Sequence, residues 1–144
     1  MAADRSRALS WIASYFVFIG VVIILFWVLF FTTDWLHLSD WECYYVFERS
    51  FPLADAWLAL CCFAAAVGLR RERSYGLLFG LLACGAVIFL ALMDLLYSLQ
   101  NDVFWPFTMD SVVELAIVTL LLIPATRIIP WLWQHRTQFL AGDA

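Results

Sequence analysis

Four long apolar segments run through the chain, separated by short stretches that hold most of its charges. The segments extend over about 9–31, 51–69, 75–96 and 108–129. A helix of about 20 residues crosses a bilayer core of roughly 30 Å, and these segments are continuous rather than alternating as in strands. The pattern predicts an all-α polytopic membrane protein, with a single domain over residues 1–144 built as a four-transmembrane-helix bundle.

The first apolar segment differs from a secretory signal peptide in two respects. No charge lies between Arg7 and Asp34, which is longer than the usual signal core, and Phe31-Thr32-Thr33 lacks the small residues of a cleavage site. We therefore expect a retained helix. After it, Ser39-Asp40-Trp41-Glu42 fits a capping box and is followed by several aromatic residues. A short outer helix at the headgroup level is predicted there.

Composition supports lipid as the surrounding solvent. Of the 144 residues, 65% are hydrophobic and 14% are charged, whereas soluble domains are about half apolar and a quarter charged. The net charge of −4 and the absence of a large basic cluster argue against a nucleic-acid partner. The lipid bilayer is the first partner that we expect.

The arginines predict the orientation of the bundle. One arginine, Arg49, lies at one end, and the other seven fall at the opposite end: Arg5, Arg7, Arg70, Arg71, Arg73, Arg127 and Arg136. Short cytoplasmic loops carry an excess of Lys and Arg. Both termini are therefore predicted to be cytoplasmic, and we expect a bacterial inner-membrane protein.

Acidic residues gather at the other end, and the span lengths force some of them into the membrane. Asp55 and Arg70 are too close in sequence to straddle the bilayer core, so Asp55 must lie at least a turn below the outer boundary. The interval from Glu114 to Arg127 is shorter still. Arginine can reach the interface along its stem, whereas glutamate cannot. We favour a Glu114 immersed by about 10 Å, with an immersed Arg127 as the alternative.

Helical spacing directs several of these acids toward one region below the outer surface. Glu48 and Asp55 are seven residues apart and share a helix face if the helix continues through Pro52, and Asp110 and Glu114 are four apart. In the third span one face holds Asp94, Tyr97, Ser98 and Asn101, at offsets of three, four and seven. An ionisable group at membrane depth is costly, and its default interpretation is functional. We predict an outward-facing intramembrane ligand-binding site, with Trp105 as a further wall, whose members are Glu48, Asp55, Trp57, Asp94, Tyr97, Asn101, Asp110 and Glu114.

Several carboxylates close together cannot all be ionised without compensation, which leaves three outcomes. Some of the acids hold protons, a bound cation neutralises them, or they face water at the rim and never meet. The last alternative applies mostly to Glu48, Asp102 and Asp110. Metal binding finds little support, because the Glu-x-x-His pairs of di-iron bundles are absent and the histidines, His37 and His135, fall on opposite sides. We predict no metal site. The cofactors and any catalytic residues stay unknown.

The cysteines and small residues have structural interpretations. There is no Cys-x-x-Cys, so thiol oxidoreductases of the quinone-reducing kind are excluded. Cys61, Cys62 and Cys84 fall within spans and are expected to pack as small apolar residues, while Cys43 could join two subunits. Gly76, Gly80 and Gly85 allow close helix approach, which we attribute to packing within the bundle rather than to a dimer seam. Pro124 predicts a kink in the fourth span.

Part of the chain resembles small uncharacterised bacterial four-helix membrane proteins. The residues that carry the resemblance are Glu48, Phe51-Pro-Leu-Ala-Asp55-Ala-Trp57, Gly68-Leu-Arg-Arg and Leu92-Met-Asp94-Leu-Leu-Tyr97-Ser-Leu-Gln-Asn101. They cover the second and third spans and imply no activity. By topology and residue type the chain is also similar to the EXPERA group, compact bundles that include sterol isomerases and sigma-2-type ligand receptors. The catalytic histidine of the isomerases has no counterpart within the spans, so this resemblance implies ligand binding.

Four functions are open on the sequence. We favour binding or carrying of a small cationic or lipophilic ligand that enters from the outer leaflet. The alternatives are an accessory or structural subunit of a larger membrane complex, a lipid-modifying enzyme with a protonated carboxylate as general acid, and an ion-conducting oligomer lined by acids. The expected partners are accordingly the bilayer, a small ligand, and either further copies of the chain or another membrane subunit.

Overall fold

The computed structural model describes residues 2–33 and 49–141, and every regular element in these ranges is a helix. The helices are α1 (Ala2–Thr32), α2 (Pro52–Arg70), α3 (Ser74–Gln100), α4 (Met109–Gln134) and α5 (Arg136–Ala141). The first four are long and apolar enough to cross a membrane. The predicted all-α bundle with four transmembrane helices is thus confirmed.

The observed helices are longer than the apolar segments that predicted them. The first begins at Ala2 instead of residue 9, because Ala, Arg and Asp in residues 2–8 are compatible with helix even outside the hydrocarbon. The fourth continues through Pro130 to Gln134. The predicted outer helix starting at Ser39, together with Cys43, His37 and Glu48, lies outside the described residues.

Sequence neighbours pack side by side, and one apolar core extends through the helices. α1 contacts α2, α2 contacts α3, and α3 contacts α4, while the short α5 packs against both α3 and α4. Side chains that are almost completely buried come from every helix: Phe16, Leu58, Val87, Ile128 and Phe139. Many large apolar side chains are exposed on the helix faces that point away from the core, as expected where lipid is the solvent.

Two glycines bring α2 and α3 into backbone contact near one end of the bundle. A Cβ atom added to Gly76 would lie 2.8 Å from Gly68 Cα, and nearer still to the Gly68 carbonyl carbon. At Gly80 an added Cβ would meet the side chain of Leu132 at 2.9 Å, whereas at Gly85 nothing lies within 4 Å. The predicted packing role within the bundle is confirmed for Gly76 and Gly80.

The connection between α2 and α3 forms a tight turn, called here the arginine turn (residues 70–73). The Glu72 N–H donates to the Leu69 carbonyl over 3.1 Å, and the Arg73 N–H donates to the Gly68 carbonyl over 2.9 Å. Glu72 has a positive φ of 51°. Its side chain forms an ion pair with Arg5, which ties the start of α1 to the turn.

The cysteine and histidine side chains of the described region pack against neighbouring protein groups. Cys61, Cys62 and Cys84 are free and buried in the apolar core, as the sequence predicted. The His135 ring stacks on Trp131 with centroids 4.2 Å apart, and its Nδ1 lies 2.8 Å from the Trp131 carbonyl. These side chains therefore contribute to packing and to the end of α4.

Candidate functional site

The first candidate site lies toward the end of the bundle at which α1 ends and α2 begins, the end that the sequence predicts to be the outer one, and Asp55 is its centre. Pro52 starts α2 and places Asp55 in the first turn of that helix. The Trp27 indole N–H of α1 donates a hydrogen bond of 2.9 Å to Asp55 Oδ2. The second oxygen, Oδ1, is buried and has no hydrogen-bond partner among the described residues. We call this arrangement the Trp27–Asp55 site.

The length of α2 indicates how deep this carboxyl lies. Asp55 and Arg70 are separated by 15 residues of one helix, which corresponds to about 22 Å along its axis. With Arg70 at the inner boundary of a core of roughly 30 Å, this rise would place Asp55 about 7 Å inside the outer boundary. The helix is thus continuous over the interval that the sequence argument assumed, and the depth of Asp55 stays a prediction.

Aromatic rings from α1 surround Trp27. Its ring centroid lies 5.1 Å from that of Phe26, 5.2 Å from that of Phe30 and 5.6 Å from that of Phe31. Trp27 and Phe30 are buried, whereas Phe31 is exposed on the outer surface of the bundle. The carboxyl therefore lies at the Nε1 edge of Trp27, and the Trp27 ring belongs to a cluster that extends from the interior to the surface.

A second pair connects α3 and α4. The Ser98 hydroxyl donates a hydrogen bond of 3.0 Å to Glu114 Oε1. Ser98 is 3% exposed, and Glu114 is half-buried. Because Ser98 lies two residues before the end of α3, this contact is near the outer end of the bundle. The Glu114 carboxyl thus has a protein partner, while Arg127 is exposed on α4.

The predicted α3 face is only partly available for a ligand. Asp94 and Tyr97 are half-buried, and each makes contacts of its own. The Asn101 amide donates to the Tyr97 carbonyl over 2.8 Å, so this side chain satisfies a carbonyl at the end of α3. Ser98 lies one turn beyond Asp94 on the same face. Glu114 therefore reaches α3 within a turn of Asp94.

The acids of the three helices lie at different heights. Contact between Gly68 and Gly76 sets the register of α2 and α3, and equal steps along both helices bring Asp55 level with about Phe89. Asp94 then lies about 7 Å further toward the outer end. Within residues 2–33 and 49–141, no three Asp, Glu, His or Cys side chains are close enough to hold a metal ion.

The other predicted site residues have different positions. Trp57 is 53% exposed and Trp105 is 84% exposed, so neither ring is enclosed by its own chain. Glu48 and the side chain of Asp110 lie outside the described residues. The structure thus resolves the predicted acidic region into two separate arrangements, the Trp27–Asp55 site and the Ser98–Glu114 pair.

Sequence reasoning did not select Trp27 as a site residue. A signal was present, because a buried indole N–H requires an acceptor and apolar neighbours in the first span offer none. Ser98 was placed on the correct α3 face but without its partner. Comparison of the chain with models of protein families, with curated proteins and with solved structures finds no match.

Proposed function

We propose that the protein binds or carries a small cationic or lipophilic ligand that enters from the outer leaflet, with the Trp27–Asp55 site as its anchor. The observation that supports this is the buried Oδ1 atom, which lacks a donor among the described residues. A buried polar atom left unsatisfied costs about 1–3 kcal/mol. A ligand that donates a hydrogen bond to Oδ1 would remove this cost and would be held tightly for the same reason.

The surroundings of Asp55 favour an organic ammonium group over a metal ion. An aromatic ring attracts a cation that lies within about 6 Å of its centroid, and Trp27, Phe30 and Phe31 provide adjacent rings. A hard metal ion would need several oxygen ligands, and Asp55 belongs to no such group in the described residues. An amine with an apolar substituent would use both the carboxylate and the rings.

Access to the site requires movement of the protein. Oδ1 is enclosed by neighbouring atoms, so a ligand reaches it only after the groups around it move. The Trp27 indole donates to the other oxygen, Oδ2. A ligand that donates to Oδ1 therefore adds a hydrogen bond to the carboxyl and can leave the indole bond in place.

Thermal unfolding of the detergent-solubilised protein tests the proposal. The probes are alkylammonium ions of increasing chain length, with sodium as the inorganic comparison. We expect the longer amines to raise the unfolding temperature of the wild type and to have no such effect on Asp55→Asn, which keeps the shape of the side chain. Asp102→Asn is the control, since Asp102 is an exposed rim acid with a φ of 55° that asparagine tolerates. Equal shifts in wild type and Asp55→Asn would refute the proposal.

We further propose that the protein lies in the bacterial inner membrane with both termini in the cytoplasm. The support is that the start of α1 and the arginine turn share one end of the bundle, where Arg5 pairs with Glu72. That end carries most of the arginines. Fusion of a reporter that is active only in the cytoplasm should give signal at either terminus, and signal from a periplasmic reporter there would contradict this orientation.

A second candidate function, a subunit of a larger membrane complex, is favoured by α4. In the most apolar stretch of α4 only 17% of the residues are buried within the protein, whereas the corresponding stretches of α1, α2 and α3 are 39%, 44% and 39% buried. A partner helix could cover the exposed side. Native electrophoresis of membranes dissolved in mild detergent should then give a species larger than the chain, and a species of monomer size alone would argue against this function.

A further inference from the structure

We propose that the arginine turn, supported by the start of α1, forms a binding site for the phosphate group of an anionic phospholipid, with Arg70 and Arg71 as its cationic side chains. This site lies at the opposite end of the bundle from the Trp27–Asp55 site. The inference is independent of the ligand proposed above, and its failure would leave that proposal unchanged.

The backbone of the turn is fixed by contacts on both sides. Gly68 and Gly76 hold α2 and α3 together directly beneath it. The Arg71 N–H donates to the Val67 carbonyl over 3.1 Å, and the N–H groups of the next two residues donate to the carbonyls of Leu69 and Gly68. Arginine side chains that project from a fixed backbone lose less conformational freedom when they bind an anion.

The charges around the turn leave a cationic surface. Glu72, the acid within the turn, is engaged by Arg5. This ion pair also brings the first turns of α1, and with them Arg7, to the same end. Arg7, Arg70 and Arg71 are all exposed. The turn therefore presents two exposed guanidinium groups, those of Arg70 and Arg71, while its acid is already paired.

The position of the turn identifies a lipid as the source of the anion. Arg70 is the last residue of α2, and α3 begins at Ser74, so these guanidinium groups lie directly at the ends of two spans. Trp11 is exposed one turn beyond Arg7 along α1, which suits the headgroup level. Guanidinium binds phosphate through paired hydrogen bonds. The phosphates at this depth belong to lipid headgroups, and an anionic headgroup is the better ligand because it carries no ammonium group to neutralise its phosphate.

The test uses the complete purified protein in a neutral detergent. Phosphatidylglycerol or phosphatidylcholine is added, and retained lipid is counted by native mass spectrometry while the unfolding temperature is recorded. We expect phosphatidylglycerol to bind more tightly than phosphatidylcholine. An arginine near an anionic surface contributes about 1 kcal/mol. The apparent affinity for phosphatidylglycerol should therefore fall about fivefold for each arginine replaced, in Arg70→Gln, in Arg71→Gln and in the double variant.

Arg49→Gln is the matched control, because Arg49 is also exposed but lies at the other end of the bundle. It should keep the preference for phosphatidylglycerol. If the double variant does not fold, the single variants Arg70→Gln and Arg71→Gln test the same surface. Equal retention of the two lipids by the wild type would overturn the proposal, as would an unchanged preference in the turn variants. An equal stabilisation by inorganic phosphate would show that the anion is not a lipid and would also overturn it.

Discussion

Replacement of Gly76 by alanine tests whether the contact between α2 and α3 determines the stability of the bundle. The added Cβ would lie 2.8 Å from Gly68 Cα and nearer still to the Gly68 carbonyl carbon, whereas carbon atoms pack at about 3.5–4.0 Å. The two helices must therefore separate by more than about 1 Å. Overpacking of this kind costs about 1–3 kcal/mol, and the upper half of that range applies because backbone atoms cannot rotate away. The higher helix propensity of alanine offsets up to about 1 kcal/mol.

The expected net loss for Gly76→Ala is about 1–3 kcal/mol in the free energy of unfolding. It is measured by equilibrium unfolding in mixed micelles of increasing dodecyl sulfate content, with helical circular dichroism as the signal. Gly85→Ala is the matched control, since nothing lies within 4 Å of a Cβ at that position. That variant should be neutral or slightly more stable. If both variants unfold at the same dodecyl sulfate content, the argument from helix contact is refuted.

Three further predictions concern individual side-chain contacts, and the same unfolding assay measures each of them. A double-mutant cycle with Ser98→Ala and Glu114→Gln should give a coupling of about 0.6 kcal/mol, typical of hydrogen bonds between membrane helices; additive effects would contradict the contact. Trp27→Phe should destabilise by about 1–3 kcal/mol, because it leaves the second carboxyl oxygen of Asp55 without a donor, and Trp57→Phe on the exposed surface should not. Arg5→Gln should cost about 1 kcal/mol or less, since Glu72, its partner in the ion pair, is 51% exposed; a larger loss would contradict this weak coupling.

The sequence sufficed to predict the spans because their signal is local. A run of about 20 uncharged, apolar residues is long enough to cross the bilayer core as a helix, whatever other segments the chain contains. The glycine contacts were predicted for a similar reason, since Gly76 and Gly80 have no other use in a buried helix face. Helix boundaries were less accurate, because polar residues such as those at 2–8 continue a helix beyond the hydrocarbon.

The partners of the acids could not be predicted in the same way. Helical spacing relates residues within one helix, as with Asp94 and Ser98, but the bond from Trp27 to Asp55 depends on the rotation and register of two helices. Convergence of the acids would require the acid-bearing ends of the helices to lie at the same height in the bundle. The contact between Gly68 and Gly76 fixes a register in which Asp55 lies lower than Asp94.

The short length of α2 relates the Trp27–Asp55 site to bilayer thickness. With 19 residues, α2 is about 28 Å long, whereas the 31 residues of α1 extend about 46 Å. In a thicker bilayer the hydrophobic mismatch falls on α2, and the surrounding lipid must thin or the helix ends must enter the acyl region. Thickening would draw Asp55 away from the headgroups. Acyl-chain length is therefore a variable that changes the environment of this carboxyl without any change in the protein.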